Sequence, residues 1–257
     1  SLFNINKQDK IGIFEVGMDK RGEINFLTKM IMPDIGVITN ISYAHIKNFK
    51  NLKGVANAKS EIINNIVEHG SIILNADDRF FKFFKSKSIK RKLRIISFGI
   101  KNKSNVSLIN IKKGKLSSVI YIKNNEKILK FIIKKNLENY IYNILSTLAV
   151  ISIYFDLEKL DKFFFNDYQF PEGRGDLNII KLKEKKINLI DESYNSNPLS
   201  LQFALNKLNS MNSKSKRKLI LLGDMLELGK YSKKLHIEAA RNINATKIDK
   251  VYVYGKN

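Results

Sequence analysis

Short apolar runs that alternate with stretches of helical spacing leave the first half of this chain few architectures. The runs are Ile11-Gly-Ile-Phe14, Ile35-Gly-Val-Ile38, Ser71-Ile-Ile-Leu74 and the stretch 93–98. Read as strands at 11–14, 35–39, 71–74 and 93–98, they are separated by helical patterns near 21–31, 52–68 and 78–85. Such alternation argues for an α/β fold with a mainly parallel central sheet and helices on both faces. From about 105 to 134 the pattern changes to VSLINI, SSVIYI and KILKFII, broken by Lys-Gly-Lys and Asn-Asn turns. That reads as a small antiparallel β patch appended to the sheet. An apolar helix over about 138–155 and a shorter one near 157–166 complete this part.

Pro171-Glu-Gly-Arg-Gly-Asp176 breaks all periodicity and is the expected domain boundary, giving domains 1–172 and 173–257. Beyond it lie strands near 178–183 and 187–191, then a helix opening at Asn197-Pro198, where Asn caps and Pro suits the first turn. Strand 218–222, helix 232–244 and strand 249–254 follow. This is about half of an ordinary domain and reads as a partial Rossmann-like α/β domain. The chain begins with Ser rather than Met and stops as a strand ends, so it is expected to be a piece of a longer protein.

With 257 residues, 44% of them hydrophobic, the chain can bury one large core or two modest ones. The absence of Cys excludes disulfides and thiolate metal sites, and favours a reducing compartment. No signal peptide is legible, because the N-terminus is polar and charged. The most apolar stretch, Tyr140–Phe155, is interrupted by Asn143, Ser146, Thr147 and Ser152 and is too short to span a bilayer. A cytoplasmic monomer without a transmembrane segment is expected. The net charge of +22 raises nucleic acid as a partner, and the run Arg79–Arg94 interleaves basic and aromatic residues. Lysines are nevertheless spread along the entire length, in a composition that AT-rich codons supply. No specific nucleic acid is expected.

Three segments carry the chemistry: FEVGMDKRGEI (14–24), TNISYAHI (39–46) and ANAKSEII (56–63). Each puts a polar residue just past an apolar strand, or on a helix behind one, and ligands of open α/β sheets bind outside the carboxyl ends of strands. Lys59 shares a helical face with Val55, Ile62, Ile63 and Ile66. Partial desolvation there lowers a lysine pKa and exposes a nucleophilic amine able to form a carbamate with carbon dioxide; a lysine snorkelling out along its stem is the alternative. Glu15 could ligate Mg²⁺ or serve as a capping carboxylate. His45 could be a ligand or a hydrogen-bonded structural histidine, and Asn40 a turn former. His69 and His236 sit in helical settings and read as ordinary.

Together, the order E-x-G…GEI…TNI-x-x-x-H…A-K-x-E-I resembles the central domain of the Mur ligases, ATP-dependent amide-forming enzymes of peptidoglycan synthesis. Leu74-Asn-Ala-Asp-Asp78, Asn139-x-x-x-Asn143, Gly173-Arg174, Asp191-Glu-Ser-Tyr-Asn-Ser-Asn-Pro198 and Leu222-Gly-Asp-Met-Leu-Glu-Leu-Gly229 continue the likeness over essentially the whole chain. The last two segments are closest to the branch that joins D-alanyl-D-alanine to UDP-N-acetylmuramoyl-tripeptide through an acyl phosphate. The resemblance implies that Glu15, His45 and a carbamylated Lys59 hold Mg²⁺, with Asn40 supporting them, and that these residues are catalytic. It implies that Asn139 and Asn143 reach the adenine of ATP, that Arg174 contacts ATP, and that Asp191 or Glu192 binds the ribose. Tyr194 and Asn195 would lie beside the nucleotide. Asp224 and Glu227 would meet the incoming dipeptide, or else form a structural turn. The family's Gly-rich phosphate loop would precede residue 1, so the chain alone is expected to be inactive. Where the family usually has His-Asn followed by Ala-Ala, this chain has Glu138-Asn139 and Ser146-Thr147. Another amino-acid or folylpolyglutamate ligase of the superfamily is the near alternative, and a basic non-catalytic nucleic-acid-binding protein the distant one.

Overall fold

The computed structural model describes residues 5–211 and 217–256. They form two compact units: the chain up to Ile41 with Phe49–Asn166, and Ser42–Asn48 with the chain from Asp167 on.

The first unit is built on a six-stranded sheet whose spatial order follows the sequence. Strands β1 (Ile35–Ile38), β2 (Ser71–Asn75), β3 (Arg94–Gly99) and β4 (Val106–Lys113) run parallel, while β5 (Ser117–Asn124) and β6 (Lys127–Lys134) continue antiparallel. Ile72, Ile73 and Leu74 are all buried. Successive strand residues point to opposite faces, so burial of all three means that both faces of β2 are covered. Helices α4 (Phe81–Lys90) and α5 (Ile141–Ile151) pack against it. On β5 and β6 only alternate residues are buried: Ser118, Ile120 and Ile122, then Leu129, Phe131 and Ile133. That is the pattern of a sheet with one wet face.

Three elements differ from the sequence expectation. Residues 11–14 are not a strand. Among the described residues no strand pairs with them, and Ile11 and Ile13 are 66% and 93% exposed; without a ladder or an apolar surface, a run of β-formers stays merely extended. The expected helix 52–68 divides into α2 (Leu52–Lys59) and α3 (Ile62–Asn65). At the break, the Glu61 carboxylate accepts the amides of Gly22 and Asn25 and so caps α1 (Glu23–Ile31), whose own N-cap is a glycine with no side chain to do it. The helix near 157–166 shrinks to one short 3₁₀ turn, Leu157–Lys159. There the Ile132 amide of β6 donates to the Lys162 carbonyl at 2.7 Å, and Phe165 packs edge-on against Phe131. The sheet edge has captured backbone that a helix would have needed.

The second unit contains a hairpin, β7 (Asp176–Leu182) with β8 (Lys185–Asp191), and a parallel pair, β9 (Leu219–Gly223) with β10 (Lys250–Tyr254). Helix α6 (Pro198–Ser210) starts in a capping box formed by Asn197 and Ser200, and α7 (Ser232–Asn244) precedes β10. Leu201 and Leu205 of α6 and Leu235, Ala239 and Ile243 of α7 form its buried apolar faces. Among the described residues no helix is long and apolar enough to cross a membrane.

Candidate active site

At the carboxyl end of β1 the chain is held by the last residue of β2 and by Asp78 beyond it. The Asn75 side-chain amide donates to the Thr39 carbonyl at 3.0 Å, and Asp78 Oδ2 accepts the Ile41 amide at 2.7 Å. Asp78 Oδ1 accepts the Phe80 amide at 2.8 Å, which fixes the carboxylate at the entry to α4. Lys59, half-buried at the end of α2, donates from Nζ to the carbonyl of Asn40 at 3.3 Å. It is therefore the backbone of Asn40, not its side chain, that meets the lysine. Burial pushes the Lys59 ammonium down from the ordinary lysine range, while the charges of Asp78 and Glu15 pull it back up. Glu15 itself is exposed on the extended segment before α1. An amine easily neutralised, with two carboxylates in its field, is the chemical content of this cluster.

His45 lies on the segment that groups with the second unit. Its backbone is left-handed (φ 58°), and its Nδ1 stands 2.5 Å from Glu227 Oε2 in a close contact that misses the in-line geometry of a hydrogen bond. Glu227 thus meets a histidine that lies far from it in sequence, a pairing without any local signal. Asp224 accepts the Lys256 amide at 2.8 Å and lies 3.8 Å from His236. His236 accepts the Met225 amide on Nε2, so its Nδ1 carries the hydrogen given to the Ser232 carbonyl.

Elsewhere in the second unit, the Arg174 guanidinium stacks 4.1 Å from the centre of the Tyr194 ring. Gly173 sits at φ 70°, where its carbonyl accepts the Tyr194 amide and a Cβ would come within 3.1 Å of that nitrogen. The Ser193 hydroxyl and then the Ser193 amide, which donates at 2.9 Å, hold the Asp191 carboxyl below the usual range. Glu192 is half-buried and faces Lys207; burial pushes its carboxyl up and the Lys207 ammonium down. The structure thus gathers Arg174, Asp191, Glu192 and Tyr194, with Asn195 exposed just beyond them. In the first unit, Asn139 lies in the 3₁₀ stretch Lys135–Tyr140 and Asn143 is exposed on α5, so the two stand on different kinds of helix. Glu138 is tied to Lys135 at 2.8 Å and to the Ser118 hydroxyl, and those bonds outweigh burial to keep its carboxyl low.

A helix-covered parallel sheet with polar side chains at its strand ends, joined to a second α/β unit, defines the class of ligand-binding α/β proteins that act at strand termini. The chain belongs to the Mur ligase family: the family model described as Mur ligase middle domain matches residues 1–151, and the Mur ligase, glutamate ligase domain matches 177–257. It is 34% identical to the UDP-N-acetylmuramoyl-tripeptide–D-alanyl-D-alanine ligase of Buchnera aphidicola subsp. Acyrthosiphon pisum, across 99% of this chain and 55% of that protein. It is 32% identical to the enzyme of the same name from Buchnera aphidicola subsp. Baizongia pistaciae, across 100% of the chain and 54% of the relative. The crystal structure of MurF from Acinetobacter baumannii superposes with a TM-score of 0.86 at 25% identity, covering 99% of this chain and 54% of that one. The chain spans about half the length of the curated relatives it matches.

Proposed function

We propose that this chain forms the nucleotide- and amine-handling part of an ADP-forming ligase, acting in the cytoplasm, that joins D-alanyl-D-alanine to UDP-N-acetylmuramoyl-tripeptide for peptidoglycan synthesis. The observation that carries the reading is Lys59, desolvated at the end of α2, where it reaches the carbonyl of Asn40 just past β1 within the field of Glu15 and Asp78. The names of the relatives, which align along 99–100% of the chain, supply the substrates.

In this reaction the tripeptide's terminal carboxylate takes the γ-phosphoryl group of ATP and becomes an acyl phosphate. The dipeptide amine attacks the acyl carbon, the C–N bond forms, and the C–O bond to phosphate breaks. Phosphate departs with that electron pair as the amine loses its proton. Little covalent chemistry falls to side chains, which orient the partners and balance charge. Arg174 and Tyr194, with Asp191 or Glu192, offer a cation, an aromatic face and carboxylates to a nucleotide, and Asn139 and Asn143 offer amides to its base.

An unmodified Lys59 ammonium would repel a magnesium ion. Its neutral amine would attack carbon dioxide, forming an N–C bond and releasing one amine proton to water, to give a carbamate, an oxygen donor of the type magnesium prefers. Glu15 would add a carboxylate oxygen and His45 an imidazole nitrogen. Bound magnesium would neutralise phosphate charge during transfer. The test is Lys59→Ala in a full-length ligase carrying this chain, followed by phosphate release with ATP, tripeptide precursor and dipeptide. Activity should drop about a hundredfold or more, with partial rescue by a small carboxylic acid. Undiminished turnover would sink the assignment, and preferential turnover of a single amino acid would move the chain to another branch of the family.

A further inference from the structure

The segment Gly223–Gly229 is spent, in the structure, on neighbouring chain. Glu227 Oε2 lies 2.5 Å from His45 Nδ1, and its Oε1 lies 3.7 Å from Lys47 Nζ. The Lys47 amide donates to the Glu227 carbonyl at 2.9 Å. Two residues on, Gly229 is left-handed (φ 52°), and a Cβ there would stand 2.9 Å from Lys47 Cα and 3.0 Å from its Cβ; only glycine permits this approach. The Tyr231 ring then packs against Tyr43, with centroids 6.0 Å apart. Glu227 (φ 62°) and His45 (φ 58°) are both in the left-handed region, unfavourable for residues with a side chain. Backbone strain of this kind persists where the surroundings over-determine it and concentrates at functional sites.

The contact is out of line for a hydrogen bond as it stands, but a carboxylate oxygen 2.5 Å from Nδ1 favours the form in which Nδ1 bears a hydrogen over the form that sets a lone pair against it. We infer that Glu227 is a positioning residue for His45: its carboxylate keeps the hydrogen on Nδ1 and leaves Nε2, with its lone pair, as the nitrogen able to ligate a metal ion, while loop 227–231 clasps residues 43–47 to hold the pair. A carboxylate that fixes the tautomer of a ligating histidine raises its basicity and orients its ring. The metal half of this inference rests on the proposed function; the tautomer half does not.

The experiment is a two-bond ¹⁵N–¹H correlation spectrum of the labelled chain at pH 8.5. His45 should be in the Nδ1–H form in the wild type and in Glu227→Gln, whose amide oxygen still accepts. In Glu227→Ala it should shift to the Nε2–H form that dominates free histidine. His236, locked by Ser232 and Met225, reports in every variant that the neighbouring loop is folded. An Nε2–H or doubly protonated His45 in the wild type, or an unchanged Nδ1–H form in Glu227→Ala, overturns the inference. In the full-length ligase, Glu227→Ala should raise the magnesium needed for half-maximal activity about 10- to 100-fold, and Glu227→Gln far less. An unaltered magnesium requirement alongside a shifted tautomer would overturn the metal half alone, while loss of ligase activity in the wild type would speak only against the proposed function.

Discussion

The adjacent carboxylates Asp77 and Asp78 divide two tasks between them. Asp78 holds the loop leaving β1, beside Lys59. Asp77 turns the other way and accepts the amides of Ile100, Lys101 and Asn102, and the hydroxyl of Tyr142 at 2.9 Å. Burial alone would raise the Asp77 carboxyl, but those four donors outweigh it and keep its pKa low. The same pair pushes Tyr142 up to about 12, by burial first and then by its hydrogen bond to Asp77 and that residue's charge. Unfolded tyrosine releases its proton near 10 and the native one near 12, so the native state holds more protons in between. The contribution of Tyr142 is complete below pH 10 and disappears as pH rises toward 12. Tyr142→Phe should therefore remove the last tyrosine step in an ultraviolet titration and flatten the alkaline fall of stability over that interval. An unchanged alkaline limb in urea melts would show that the hydroxyl is not held by Asp77.

Helix α6 is fastened by a buried cation. Lys207 is 6% exposed, donates to the Gly175 carbonyl at 2.6 Å, and lies 3.7 Å from Glu192 and 5.5 Å from the centre of the Phe170 ring. Each charge is tolerated because the other is there, so removing one strands its partner. Lys207→Ala should destabilise the second unit by about 3 kcal/mol. The double variant Lys207→Met with Glu192→Gln should lose at least ~1 kcal/mol less than the sum of its single changes in denaturant melts; additivity would deny the coupling. Elements with strong local cues were legible in sequence: α7 spans 232–244 as its period indicates, and α6 begins after the Asn197 cap. Strands β1 and β2 fell where the apolar runs lie; β2 is buried on both faces, which demands such a run, whereas β1 buries Gly36 and Ile38 and leaves Val37 exposed. Residues 11–14, the break after Lys59 and the lost helix near 160 escaped, since each depends on a distant partner: an absent ladder neighbour, the open amides of α1, the edge of β6. The site divides in the same way. Of the apolar face read around Lys59 only Val55 shares its helix, Ile62, Ile63 and Ile66 lying beyond the break, and the work of Glu61, Asp77, Asp78 and Lys207 lies in amides and carbonyls brought to them by the fold.

At the scale of the whole molecule the dominant fact is a net charge of +22, and the question is whether that charge is aimed. The densest basic and aromatic run became α4 and its flanks. Phe84 is buried in the first unit, Lys87 donates to the Ser60 hydroxyl at 2.8 Å, and Arg91 to the Ile66 carbonyl at 3.2 Å. Lys85 and Lys87 also lie over the rings of Phe81 and Phe83. Cations and rings that satisfy one another within a unit are poor at stacking bases or gripping a backbone. What is left is diffuse attraction, which salt screens over about 8 Å at physiological ionic strength. The chain should therefore be retained on duplex DNA at about 50 mM salt and released by about 200 mM, without preference among sequences, because counterion release is then its only source of affinity. Fluorescence anisotropy across a salt series measures this directly. Tight binding that survives 200 mM salt and favours one sequence would mean that the positive charge serves a nucleic-acid surface that the ligase reading does not contain.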